Sequence, residues 1–133
     1  MPGATVNVLL IGSGGREHAL AWKLRQSPRL GDLWLTHPEN PGLAALGRAI
    51  DLPFEPERPF RLQRFCDMNN IGLVVIGPEE PLAIGLADAL ASGGRVVFGP
   101  GKEAARLEAD KAWARQIMHS ASVPMADGRA FSD

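Results

Sequence analysis

The chain has 133 residues, 45% hydrophobic and 22% charged, with a formal net charge of −1. That allows one domain with a real core and leaves no basic excess to draw nucleic acid, and sparse aromatics with no tyrosine further weaken the case for a base-stacking surface. No apolar run reaches the length of a membrane span, Met1-Pro2-Gly3 does not open a signal peptide, and the lone Cys66 rules out an internal disulfide and suits a reducing cytoplasm.

In chain order, the apolar run Val6–Ile11 predicts a strand that enters Gly12-Ser13-Gly14-Gly15, after which Arg16-Glu17-His18 carries a helical start. The helix is predicted over His18–Gln26, ended by Ser27-Pro28. A strand at Leu33–Thr36 runs into His37-Pro38-Glu39-Asn40-Pro41-Gly42, and a weaker one is expected at Ala49–Leu52. Phe60–Asn69 predicts a helix closed by Asn69-Asn70, with Arg58, Arg61 and Arg64 on a solvated side and Cys66 packing beside Phe65. The strand Leu73–Ile76 leads into Gly77-Pro78-Glu79-Glu80-Pro81. One helix is expected over Leu82–Ala91, where Leu82, Leu86 and Leu90 stack at i+4 before Gly93-Gly94. A last strand, Val96–Phe98, enters Gly99-Pro100-Gly101, and two helices follow at Lys102–Leu107 and Lys111–Ser120, with Asp110 a candidate N-cap for the second.

Strands that alternate with helices and read as continuous apolar runs predict a doubly wound parallel α/β sheet covered on both faces. The organisation expected is an α/β domain over residues 1–101 and a helical extension over 102–133, stopping where a further domain would start. Ligands of such sheets sit beyond the carboxyl ends of the strands, and every conspicuous Gly/Pro loop here lies at such an end.

The chemistry concentrates in the first of those loops. Glycines admit close approach of an anion, a helix N-terminus supplies free N–H groups and a favourable dipole, and Arg16 adds a fixed positive fork. A dinucleotide fingerprint is incomplete: Glu17 stands where its third glycine belongs, and the second strand ends Thr36-His37-Pro38 with no acid for a ribose hydroxyl. A Walker A loop fails because Glu103 follows Gly101-Lys102. His18, His37 and His119 share no metal-ligand spacing, so no metal site is predicted.

Four blocks, Gly12-Ser13-Gly14-Gly15-Arg16-Glu17-His18-Ala19-Leu20, Gly77-Pro78-Glu79-Glu80-Pro81-Leu82, Phe98-Gly99-Pro100 and Leu107-Glu108-Ala109-Asp110-Lys111, resemble the phosphoribosylamine–glycine ligase family, in order and with matching spacing. The resemblance implies a Rossmann-like N-terminal domain preceding an ATP-grasp fold. It implies an enzyme that joins glycine to 5-phosphoribosylamine with ATP and magnesium, giving glycinamide ribonucleotide, ADP and phosphate in purine biosynthesis. On that basis Gly12, Gly14, Gly15 and Arg16 would meet the 5-phosphate or shape its pocket. Glu17 would either cap backbone donors or bond a ribose hydroxyl. Glu79, behind the rigid Pro78, would either accept from the ribose or amine or brace its own loop. His18, at a helix start, suits a neutral hydrogen-bonding role. Asn40 and Gly42 complete the substrate rim, and Lys111 resembles an ATP-contacting lysine.

The sequence departs from the family pattern at Glu39, where a glycine is usual, at Asp110 before Lys111, where an ion pair could tie up the lysine, and at Met125. The metal ligands, the lid and most of the ATP cleft would lie downstream, in the rest of the ligase in cis. No catalytic residue and no metal ligand is therefore assigned to this stretch, which is expected to be inactive alone. Two other readings are open: a non-catalytic module for a phosphorylated metabolite, and a small dinucleotide-binding domain.

Overall fold

The computed structural model describes residues 3–129 and 131. Met1, Pro2, Ala130, Ser132 and Asp133 lie outside them, and with them both ends of the expected 1–101 and 102–133 division. Among the described residues the order is β1 (Val6–Ile11), α1 (Gly15–Leu24), β2 (Leu30–Leu35), α2 (Pro41–Ala44), β3 (Arg48–Ala49), α3 (Phe60–Met68), β4 (Ile71–Ile76), α4 (Glu79–Ala83), α5 (Leu86–Leu90), β5 (Val96–Phe98), α6 (Lys102–Ala109) and α7 (Lys111–Ser120).

All strands are parallel, in the order β3-β2-β1-β4-β5. The chain winds outward from β1 through β2 to β3, then crosses back to lay β4 on the other side of β1. That reversal opens a crevice between the carboxyl ends of β1 and β4, the topological switch point of a Rossmann-like sheet. The α/β expectation holds.

Period-two alternation divides the core. Leu9, Ile11, Val74 and Ile76 face a layer built by α3, α5 and α6 around Leu62, Phe65, Leu86, Leu90 and Ala105. Val8, Leu10, Leu33, Leu35 and Val75 face Ala21 of α1 and Leu43 of α2. Cys66 is buried, and burial pushes its thiol up to about 11, which makes it a packing group and not a nucleophile. Buried Arg95 donates to the Leu90 carbonyl at 3.0 Å and to the Asp67 carboxylate, pinning β5 to α3 and α5.

Several elements differ from expectation, β2 among them, which runs Leu30–Leu35 in place of Leu33–Thr36. The helix α1 begins at Gly15, because Glu17 supplies from within the helix the acceptor that the Gly14 N–H needs at the start. The expected single helix over Leu82–Ala91 is two, broken where Gly85 turns to φ +96°. The third strand is only Arg48–Ala49, displaced from Ala49–Leu52, and α2 was not expected. Coverage of the sheet is incomplete at its edge, where Val96 and Phe98 are 63% and 67% exposed beside the half-buried Val97. Asp110 does cap α7: its carboxylate accepts from the Trp113 N–H at 2.9 Å, which holds its pKa below the usual range with help from Arg106. Helix α6 packs on α4. Among the described residues no helix is long and apolar enough to cross a membrane.

Candidate functional site

A cleft of about 530 Å³ lies over the β1/β4 switch point. Its walls are the glycine-rich turn after β1, the Pro78–Pro81 turn after β4, His37 after β2, and Phe54 and Pro56 from the loop beyond β3.

Glu17 organises its floor. The residue is 4% exposed, and Oε2 accepts the Gly14 N–H at 2.8 Å, so a carboxylate at the third turn position closes the helix start from inside. The room for it is made by two glycines. A Cβ on Gly12 would fall 2.6 Å from the Glu17 Cγ, and one on Gly77 would fall 1.9 Å from its Oε1. Gly12 also holds φ +124° and donates its N–H to the Thr36 hydroxyl at 3.3 Å. Oε1 is buried against Gly77 with no hydrogen-bond partner among the described residues.

Gly15 is the opposite case. A Cβ built there meets nothing within 4 Å, so nothing in the packing demands a glycine, and the position opens onto the cleft. The N–H groups of Gly15 and Arg16, at the first turn of α1, have no protein acceptor among the described residues. Arg16 extends across the crevice and donates through Nη1 to the Gly77 carbonyl, bridging the β1 and β4 loops. Glu79 and Glu80 stand exposed on the far wall, in the first turn of α4. The cleft is thus polarised: donors come from the β1 side and carboxylates from the β4 side.

The sequence-derived residues separate by place. Gly12, Gly14, Gly15, Arg16, Glu17, Pro78 and Glu79 line the cleft. Asn40, Gly42 and His18 lie beside it. Asn40 caps α2, accepting from the N–H groups of Gly42 at 2.9 Å and Leu43 at 3.3 Å, while its Nδ2 donates to the Ser13 carbonyl at 2.7 Å. It therefore clamps the glycine-rich turn from outside. The His18 ring packs on Gly42, where a Cβ would lie 3.0 Å from its Cε1 and Nε2. Lys111 is exposed on α7, apart from the cleft walls, and the anticipated pairing with Asp110 is not formed, since that carboxylate takes the Trp113 N–H and the Arg106 guanidinium. Sequence reasoning missed His37, Phe54 and Pro56 as cleft residues. The carboxyl end of β2 was a signal for the first, and no local pattern marks the other two.

Residues 6–108 match the family described as phosphoribosylglycinamide synthetase, N domain. This chain belongs to that family. Among curated relatives of the domain, it is 44% identical over 125 residues to the phosphoribosylamine–glycine ligase of Rhodopirellula baltica, covering 94% of this chain and 28% of that protein. It is 42% identical over 128 residues to the phosphoribosylamine–glycine ligase of Synechocystis, covering 96% and 30%. It is 43% identical over 129 residues to the trifunctional purine biosynthetic protein adenosine-3 of Drosophila melanogaster, covering 95% and 10%. The chain spans less than a third of the length of these relatives. A solved structure titled as RSP in complex with beta-NADH overlays on the domain with a TM-score of 0.46 at 13% identity, over 91% of this chain and 64% of that one, too slight a likeness to bear on function.

Proposed function

We propose that this chain supplies the 5-phosphoribosylamine subsite of a phosphoribosylamine–glycine ligase, the rest of the ligase lying in cis. The complete reaction joins glycine to 5-phosphoribosylamine and converts ATP to ADP and phosphate. The observation that carries the reading is Gly15: a glycine that no packing demands, at a helix N-terminus with unpaired N–H groups, in a cleft at the switch point. A phosphate fits there, with the Arg16 guanidinium beside it. The ring hydroxyls and the amine, all donors, then extend toward Glu79 and Glu80. A cytoplasmic setting suits the reduced, buried Cys66.

ATP and magnesium do not fit the residues described here. Lys111 stands outside the cleft, Asp110 is occupied by α7 and Arg106, and no group of three or more His, Cys, Asp or Glu among the described residues is placed to hold a metal ion. Phosphoryl chemistry accordingly falls to the remainder of the ligase, and this chain's part is to bind and orient. Glu17 also counts against the dinucleotide alternative, since its carboxylate fills the position beneath the turn and consumes the Gly14 N–H that a diphosphate would use.

Equilibrium binding with ribose 5-phosphate, which carries the same phosphate and ring hydroxyls, tests the proposal against NAD. Saturable 1:1 binding of ribose 5-phosphate with none of NAD is expected. Binding of NAD in its place, or of neither, would overturn it.

A further inference from the structure

We propose that His37 is a ligand-contacting residue of this cleft, offering its Nε2–H to a phosphate oxygen, a role that rests on the cleft being the site of a phosphorylated ribosyl compound. His37 lies two residues beyond the carboxyl end of β2, the neighbour of β1, and lines the cleft together with the glycine-rich turn. Two bonds fix that placement: the Gly12 N–H donates to the Thr36 hydroxyl at 3.3 Å, and Thr36 Oγ1 lies 2.7 Å from His37 Nδ1. The ring is further set by an edge contact with Phe54, 5.2 Å between centroids at 65°.

In the proposed role the tautomer is assigned through the Thr36 hydroxyl. It has one proton to give, and its two acceptors are the Leu10 carbonyl at 3.5 Å and Nδ1 at 2.7 Å. On this proposal the shorter of the two contacts receives the hydroxyl proton, which makes Nδ1 the acceptor. With Nδ1 an acceptor, the neutral ring carries its hydrogen on Nε2, which has no partner among the described residues. The result is a donor of fixed orientation in the wall of the cleft. Glu79 and Glu80 hold the other wall, so an acceptor-rich phosphate is drawn to the wall formed by Gly15, Arg16 and His37, and the donor-rich ribosyl end is left for the carboxylates.

The test uses the whole chain with histidine labelled by ¹⁵N. Long-range ¹H–¹⁵N correlation should show His37 protonated on Nε2 and bare on Nδ1, and ribose 5-phosphate should shift the Nε2 resonance. His37→Ala should weaken ribose 5-phosphate by about tenfold, the loss expected of one hydrogen bond to a charged group. His37→Gln, which keeps an amide donor of similar reach, should recover most of that loss. Arg61→Ala, on the exposed side of α3, serves as the control. His37→Ala binding as tightly as the unchanged chain would overturn the role of His37 and leave the cleft reading standing, and so would equal losses in the alanine and glutamine variants. No binding of ribose 5-phosphate by the unchanged chain would overturn both.

Discussion

The rim of the sheet has two layers that use the same residue types for opposite ends. In the inner layer, Gly12 and Gly77 are glycines because Glu17 needs their space, and the carboxylate spends its bonding on the Gly14 N–H. In the outer layer, Gly15 has open space on its side-chain face, and the N–H groups of Gly15 and Arg16 are unpaired among the described residues. Gly12 and Gly77 are thus explained by packing, whereas at Gly15 packing explains nothing and the position lines the cleft. The same division applies to the acids: Glu17 is 4% exposed and braces the turn, whereas Glu79 is exposed on the opposite wall.

The comparison is broken most forcefully at Gly77. Gly77→Ala places a Cβ 1.9 Å from Glu17 Oε1, so the buried carboxylate must leave or the β4 loop must shift. Overpacking and loss of the helix-start bond together should cost about 2 to 3 kcal/mol in urea unfolding. A cost near zero would show that Glu17 is not held where the inner layer requires it. Asn40→Ala comes next: losing the α2 cap and the clamp on Ser13 should cost about 1 kcal/mol, with ribose 5-phosphate weakened only by the looser turn. If it abolished binding outright, Asn40 would be a contact and not a brace. Gly15→Ala should change stability by less than about 0.5 kcal/mol, since its methyl group meets nothing within 4 Å, yet under the proposed site it should weaken ribose 5-phosphate strongly. Unchanged binding would remove the outer layer's claim to a ligand.

The strands at β1 and β4 and their loops were legible because a strand buried on both faces is a continuous apolar run that ends at its punctuation. The exact start of α1 was less so: Arg16-Glu17-His18 reads as a helical start, but Gly15 joins the helix only because Glu17 satisfies the Gly14 N–H from the third helical position. Leu82, Leu86 and Leu90 have the spacing of one helix, and only the positive φ of Gly85 divides it. Asn40 followed by Pro41 is an N-cap and first-turn pair, yet four residues of helix leave no periodicity to read. Within the site, residues next to strand ends could be named from sequence. Phe54 and Pro56 could not, because they reach the cleft by the path of a loop that carries no pattern of its own. Asn40, Gly42 and His18 read as rim residues because they sit in loops or helix starts at strand ends, but Asn40 is spent on capping α2 and holding the Ser13 carbonyl, and the His18 ring packs on Gly42.

The division into a built layer and a binding layer is tested most directly by following the backbone amides of the turn during titration with ribose 5-phosphate. The Gly15 and Arg16 resonances should move together along one saturable curve, and the Gly14 resonance, already committed to Glu17, should move least of the three. A Gly14 shift as large as theirs, or shifts confined to residues away from the β1/β4 cleft, would contradict the account.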